Sequence, residues 1–172
     1  MEYRKMEKLG ISTSLLGFGC MRFPTNADGS IDEKEALAMI DTAYQSGVTY
    51  FDTAYPYHGG TSEAVTGKAL ARYPRDSYYL ATKLPIWDVK SIADAERIFH
   101  EQLERLQKDY IDFYLMHALG GERWRFIKEL GVLEYCEKLR AEGKIRYLGF
   151  SFHDGYEAFE HILTSSNWDF CQ

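Results

Sequence analysis

The sequence predicts an α/β fold built on a parallel sheet, and three observations carry that expectation. Extended and helical stretches alternate five times with no linker between them. Stretches such as YYLATKL (residues 78–84) and IDFYLMH (111–117) are almost continuously apolar, as parallel strands covered by helices require. Polar residues close these stretches at a steady interval: Asp52 to Lys83 is 31 residues, and Lys83 to His117 and His117 to Ser151 are 34 each. A doubly wound sheet and a β/α barrel both satisfy these observations.

Each element has a local reason. Residues 3–16 read as two short extended pieces around Gly10, a β-hairpin ahead of the main fold, and LLGFGCM (15–21) as a buried strand. Ser30 with Glu33 forms a capping box for a helix whose Ala36, Leu37, Ile40, Ala43 and Tyr44 recur at helical spacing until Gly47. The strand VTYFDTA (48–54) and a loop marked by Pro56, Gly59 and Gly60 follow. Ser62 or Thr61 caps a helix through Val65, Ala69 and Leu70 to Tyr73, closed by Pro74. After the strand ending at Lys83, Ser91 and Asp94 make a second capping box, and Ile92, Ala95, Phe99, Leu103 and Leu106 form an apolar stripe.

Beyond His117, a Gly-Gly loop leads to one long helix from about Trp124 to Ala141. Phe126, Leu130, Leu133, Cys136 and Leu139 share its face, and Gly143 stops it. The strand IRYLGFS (145–151), a helix from Asp154 to about Thr164 with Tyr156, Phe159 and Leu163 inward, and a further strand begun by Trp168–Gln172 complete the chain. The expected organisation is a single domain, residues 1–172, with the hairpin at about 3–16 and βα units over about 15–172.

Composition narrows the function classes. A chain of 172 residues with 45% hydrophobic content is a globular domain, and a formal charge of -6 without a basic cluster argues against nucleic acid or an anionic membrane as partner. No apolar run approaches the roughly 18 residues of a spanning helix, and MEYRKMEKLG lacks the apolar segment of a signal peptide, so a cytoplasmic location is expected. Cys20, Cys136 and Cys171 form no C-x-x-C pair and no two histidines stand four apart, so neither a disulfide framework nor a metal site is expected.

The chemistry centres on TYFDTAYPYHGGTSE (49–63), where Asp52 ends a strand and Tyr57 sits in the loop beyond it. Residues one βα unit apart gather at the carboxyl edge of a parallel sheet, which is where α/β proteins place their sites. There a Lys83 ammonium would favour the Tyr57 phenolate, Asp52 would hold Lys83 charged, and His117 could hydrogen-bond a substrate oxygen. Such a group suits protonation of a carbonyl oxygen as hydride reaches its carbon. Taken singly, each residue fits a structural role better than a functional one: a buried Asp52–Lys83 pair, a satisfied core His117. Two other motifs are incomplete. GFGCMR (17–22) has Arg22 where a dinucleotide loop has its third glycine, and GFSFH (149–153) has His153 where a nucleophile elbow has its second.

LGFGCMR after an N-terminal hairpin, FDTAYPYHGGTSE, LATKL, DFYLMH, GKIRYLGFS and DFCQ resemble, in order, segments of the aldo-keto reductases, NADPH-dependent β/α barrels that reduce carbonyls. The resemblance implies a parallel (β/α) barrel of TIM type. It further implies that Asp52, Tyr57, Lys83 and His117 are catalytic with Tyr57 as general acid, that Ser151 and Gln172 contact the nicotinamide carboxamide, and that Gly19, Met21 and Thr53 border the cofactor. Many members have Asn after that serine, where this chain has Phe152. GFGCMR and GFSFHD look most like the branch whose longer members carry a C-terminal iron-sulfur segment, and no cysteine motif for such a cluster stands in this chain.

A full barrel takes about 250 residues, so the expectation is a barrel truncated to about five βα units plus the start of a sixth strand. That leaves an incomplete reductase whose open edge strands favour self-association. The alternative function is a non-catalytic interaction or regulatory protein. The expected partner is a small carbonyl compound; Tyr55, Tyr57, His58 and Trp87 are candidates to line its pocket.

Overall fold

The structure, a computed structural model, describes residues Met1–Gln172. The chain forms two compact units, Met1–Thr82 with Gln102–Lys108, and Lys83–Glu101 with Asp109–Gln172. No helix is long and apolar enough to cross a membrane.

In the first unit, strands β1 (Tyr3–Met6) and β2 (Ile11–Ser14) form the expected antiparallel hairpin, turned at Gly10 with φ 68°. Strands β3 (Phe18–Gly19), β4 (Tyr50–Asp52) and β5 (Tyr79–Leu84, whose last two residues belong to the second unit) run parallel, with Gly19 opposite Asp52 and Asp52 opposite Ala81. Leu15 and Leu16 do not enter the strand but lie 53% and 62% exposed. The cause is a reciprocal tie just before them: Ser14 N–H donates to Thr49 Oγ1 (2.8 Å) and Thr49 N–H to Ser14 Oγ (2.9 Å). This anchors the hairpin at the foot of β4 and leaves residues 15–16 to cross the surface.

Helix α1 (Glu33–Gln45) starts two residues later than the Ser30 capping box implied. Asp32 caps it by accepting from Glu35 N–H (3.1 Å), while Ser30 is bound in a turn to Asp28. Helix α2 (Ser62–Leu70) packs so closely on the last turn of helix α3 (Ile92–Leu106) that a Cβ on Gly67 would collide with the Leu106 backbone. Ile40, Phe51, Leu70 and Leu80 fill this unit's core.

In the second unit, strands β6 (Ile111–Leu119), β7 (Ile145–Phe152) and β8 (Phe170–Cys171) are parallel, with Ile111 opposite Ile145 and Met116 opposite Phe150. The β6 register shifts between Met116 and Leu119, where Ala118 takes φ 51°. The α3 start follows the sequence: Ser91 Oγ and Asp94 Oδ2 share a 2.9 Å hydrogen bond, and Asp94 N–H donates back to Ser91 Oγ (3.3 Å).

The long helix expected over 124–141 is two helices, α4 (Gly121–Glu129) and α5 (Val132–Ala141), broken at Gly131 with φ 77°. Of the three residues expected inward on helix α6 (Tyr156–Thr164), Phe159 is inward and the other two are not. Ile162 is buried and Phe159 packs on Phe150 (6.1 Å between rings), while Tyr156 and Leu163 are 73% and 41% exposed. Residues 159 and 162 lie three apart on one helical face, which Trp168 closes by donating its indole N–H to Ile162 O (2.9 Å).

Candidate active site

In the first unit, the residues following β3 and β4 are tied by hydroxyls. The Thr53 and Ser62 hydroxyls lie 2.9 Å apart, and Ser62 donates to Cys20 O (2.9 Å). One buried cluster therefore joins the end of β4, the start of α2 and the turn Cys20–Arg22 after β3. Asp52 is buried at the end of β4, and Thr53 extends the ladder by donating to Ala81 O (2.9 Å). Gly19 faces open space, with no atom within 4 Å of where a Cβ would stand, and Met21 is half exposed.

The loop after Asp52 carries Tyr57, half-buried, whose N–H donates to Ala54 O (3.1 Å). His58 and Gly59 take left-handed backbone conformations, φ 51° and 61°. His58 Nε2 accepts the Phe23 N–H (3.1 Å) and its ring packs on Phe23, so His58 holds the loop to the segment after β3. Tyr55 lies beneath the Arg105 guanidinium, 4.1 Å from ring centroid to Cζ, and Arg105 also reaches Tyr55 O and Glu63 Oε2, each at 3.5 Å.

Glu63, fully buried, accepts from Thr82 (2.6 Å) and from Gln102 (3.0 Å). Burial raises its carboxyl above the ordinary range, against the pull of Thr82, Gln102 and Arg105. The sequence reading missed this network. Its one visible signal was Gln102, a polar residue beside the apolar stripe of α3. Tyr50 also sits on β4, but burial and the Asp52 charge push its phenol strongly up, so it is a poor proton donor.

In the second unit, Lys83 is buried at the end of β5 and His117 stands near the end of β6. Burial first, then the Lys83 ammonium and lesser repulsion from His153 and Arg123, hold His117 down at about 4. At neutral pH its ring is uncharged, with one N–H donor and one acceptor nitrogen. Trp87, 43% exposed, lies against it with ring centroids 4.9 Å apart, and the Arg123 guanidinium lies 5.5 Å from the Trp87 centroid. Ser151 is buried and its Oγ accepts the Ala118 N–H (2.7 Å) across the β6 irregularity. Gln172 follows β8, its backbone exchanging bonds with Phe150 O (2.9 Å) and Phe152 N–H (3.1 Å). A pocket of about 490 Å³ opens beyond β6 and β7, lined by Ala118, Gly120, Glu122, Arg123, His153 and Asp154. Arg123 was not among the residues the sequence singled out, and Asp154 was read only as the start of a helix.

Asp52 and Tyr57 thus fall in the first unit with Gly19, Met21 and Thr53, and Lys83 and His117 in the second with Ser151 and Gln172. Asp52, Lys83 and His117 each stand at or near the carboxyl end of a parallel strand, β4, β5 and β6.

Residues 15–171 match the family model described as Aldo/keto reductase family. L-galactose dehydrogenase of Arabidopsis thaliana is 34% identical over 158 residues, which cover 88% of this chain and 48% of that protein. The holo form of an aldo-keto reductase from Bacillus halodurans superposes with a TM-score of 0.81 at 32% identity, over 98% of this chain and 55% of that one. An aldo-keto reductase from Klebsiella pneumoniae, solved in complex with NADPH, gives 0.73 at 30% identity, over 91% and 51%. The chain spans about half the length of the curated relatives it matches.

Proposed function

Because the chain belongs to the aldo/keto reductase family and its fold is a part of the parallel (β/α) barrel of TIM type, preceded by a hairpin, we propose that the protein reduces an aldehyde or ketone to the alcohol with NADPH. NADPH, when bound, supplies the hydride that the carbonyl carbon accepts. Tyr57 Oη gives its proton to the carbonyl oxygen as that oxygen gains negative charge, and the phenolate left behind is reprotonated from water. By the family resemblance, Lys83, which is buried, would stabilise the phenolate, with Asp52 as its counter-charge. His117, neutral at working pH, donates an N–H to the carbonyl oxygen and so orients it without competing as an acid.

The observation that carries this reading is the placement of ionisable residues at the carboxyl ends of three successive parallel strands, with His117 held neutral. The residues assigned to the nicotinamide fit it chemically. Ser151 Oγ accepts from Ala118 and keeps its own hydrogen for a carboxamide oxygen, and Gln172 offers an amide donor and acceptor. Gly19, with open space at its α-carbon, and Met21 leave room for a ring edge, and Thr53 fixes that border through Ser62.

The test is NADPH oxidation by the full-length protein with a panel of aldehydes and ketones. Tyr57→Phe is expected to lower kcat by about 100- to 10,000-fold, the range for loss of a positioned proton donor, while NADPH still binds. Unchanged turnover would refute the assignment. The exposed Leu15 and Leu16 favour a second reading, a self-associating, non-catalytic role. A monomer by light scattering at micromolar concentration removes it.

A further inference from the structure

We propose that Arg123 selects carbonyl substrates that carry a carboxylate, and that the pocket beyond β6 and β7 is where that carboxylate sits. The inference rests on the reductase reading above only for the identity of the reacting carbonyl. Arg123 is an exposed residue in the first turn of α4, yet it is fixed at two points. Nη1 donates to Ala118 O (2.8 Å), and the guanidinium lies over Trp87. The Ala118 carbonyl is itself aimed by the left-handed backbone at φ 51° and by the bond from Ala118 N–H to Ser151.

Arg72, Arg105, Arg140 and Arg146 each pair with a carboxylate of this chain, whereas Arg123 pairs with none. A guanidinium has five N–H donors in a fork, and one bond to a carbonyl leaves an edge free for two-pronged contact with a carboxylate. The acidic residues of the pocket do not fill that role. Asp154 is engaged by the Gly121 N–H (3.0 Å) and the Gly155 N–H (2.7 Å). Glu122 lines the pocket with no partner, and its charge opposes a doubly charged phosphate monoester more strongly than the single charge of a carboxylate. The reach is suitable as well. The 5.5 Å from Arg123 to the Trp87 ring and the 4.9 Å from that ring to His117 bound the span between guanidinium and imidazole. A straight chain of about four to six carbons, at roughly 1.5 Å per bond and with a hydrogen bond of about 3 Å at each end, reaches across it. The substrate class is therefore a short ω-oxo acid.

Two measurements on the full-length protein test this. In steady-state assays with NADPH, wild type should prefer 4-oxobutanoate to butanal, and Arg123→Gln should lower the ratio of the two kcat/KM values by about 10- to 100-fold, the worth of one charge-assisted contact. Arg123→Lys, which keeps the charge but loses the fork, should restore only part of it. Independently of turnover, 4-hydroxybutanoate titrated into the protein should saturably shift the His117 and His153 ring resonances in wild type and not in Arg123→Gln. Absence of saturable shifts in wild type, or equal affinity in both proteins, overturns the inference. So does reduction of both aldehydes at a ratio unaffected by Arg123→Gln, which leaves the reductase reading standing. Binding lost in Arg123→Gln, with no aldehyde reduced by wild type, upholds the carboxylate site and refutes the reductase reading alone.

Discussion

Gly67→Ala sets two effects of known size against each other. Alanine at a helix interior is favoured over glycine by about 1 kcal/mol. Against this, the added Cβ would lie 2.6 Å from Leu106 C and 2.7 Å from Leu106 Cα, with Leu106 O closer still. All three atoms are backbone, so no rotamer change relieves the overlap, and α2 must move away from the end of α3 by about 1 Å; overpacking of this kind costs roughly 1–3 kcal/mol. The same movement stretches the bonds from Gln102 and Arg105 on α3 to Glu63 on α2, at 3.0 and 3.5 Å. Loosening them around a buried carboxylate adds about 1–2 kcal/mol. The net expectation is a loss of about 2–3 kcal/mol despite the better helix former. Urea unfolding should show it as a midpoint lowered by about 1 M or more at unchanged m, given m of about 1–3 kcal/mol/M. A midpoint equal to or above wild type would mean that α2 and Leu106 are not in backbone contact, and the account of how α2 fixes Ser62 and Glu63 beside the Tyr57 loop would fall with it.

The remaining predictions follow from single contacts. Gly149→Ala would place a Cβ 2.6 Å from Phe170 O and from the Phe170 ring; β8 should detach, and the Asp169 and Gln172 amides, which donate to Leu148 O and Phe150 O, should lose hydrogen-exchange protection. Retained protection contradicts that packing. His117 should titrate near 4 by NMR, and Lys83→Met should move it upward but short of 6.5, because burial, the larger cause, persists. Since the folded state holds His117 below its unfolded value of 6.5, this residue's share of stability is complete above 6.5 and is lost as pH falls through about 4. A Lys83→Met protein with the same acid limb as wild type would contradict the link. Glu63→Leu should cost about 3–5 kcal/mol by stripping Thr82, Gln102 and Arg105 of their acceptor; Glu63→Gln, which keeps one acceptor oxygen, should cost visibly less in the same urea assay.

The strands, the hairpin and the α3 cap were legible because each is written in adjacent residues: apolar runs, Gly10, the Ser91–Asp94 pair. The break at Gly131 was not, and the reason is a phase change. Trp124 and Ile127 make the buried face of α4, while Val132, Tyr135, Cys136 and Leu139 make that of α5. A single helix drawn through both chose Phe126, which is 45% exposed. A glycine costs a helix only about 1 kcal/mol, so its presence could not force the break; the reversed backbone at φ 77° does.

The same limit separates the candidate site residues from those that surround them. Asp52, Lys83 and His117 interrupt apolar strands at one period, a pattern that needs no knowledge of partners. Glu63 finds Gln102 across 39 residues of chain, and Arg123 is held by the main-chain carbonyl of Ala118, a residue in the left-handed region. Periodicity states which side of an element faces inward. A polar side chain that depends on a distant partner or on an irregular carbonyl leaves no such trace, so the residues that hold the Tyr57 loop and line the pocket beyond β6 and β7 emerge only from the fold.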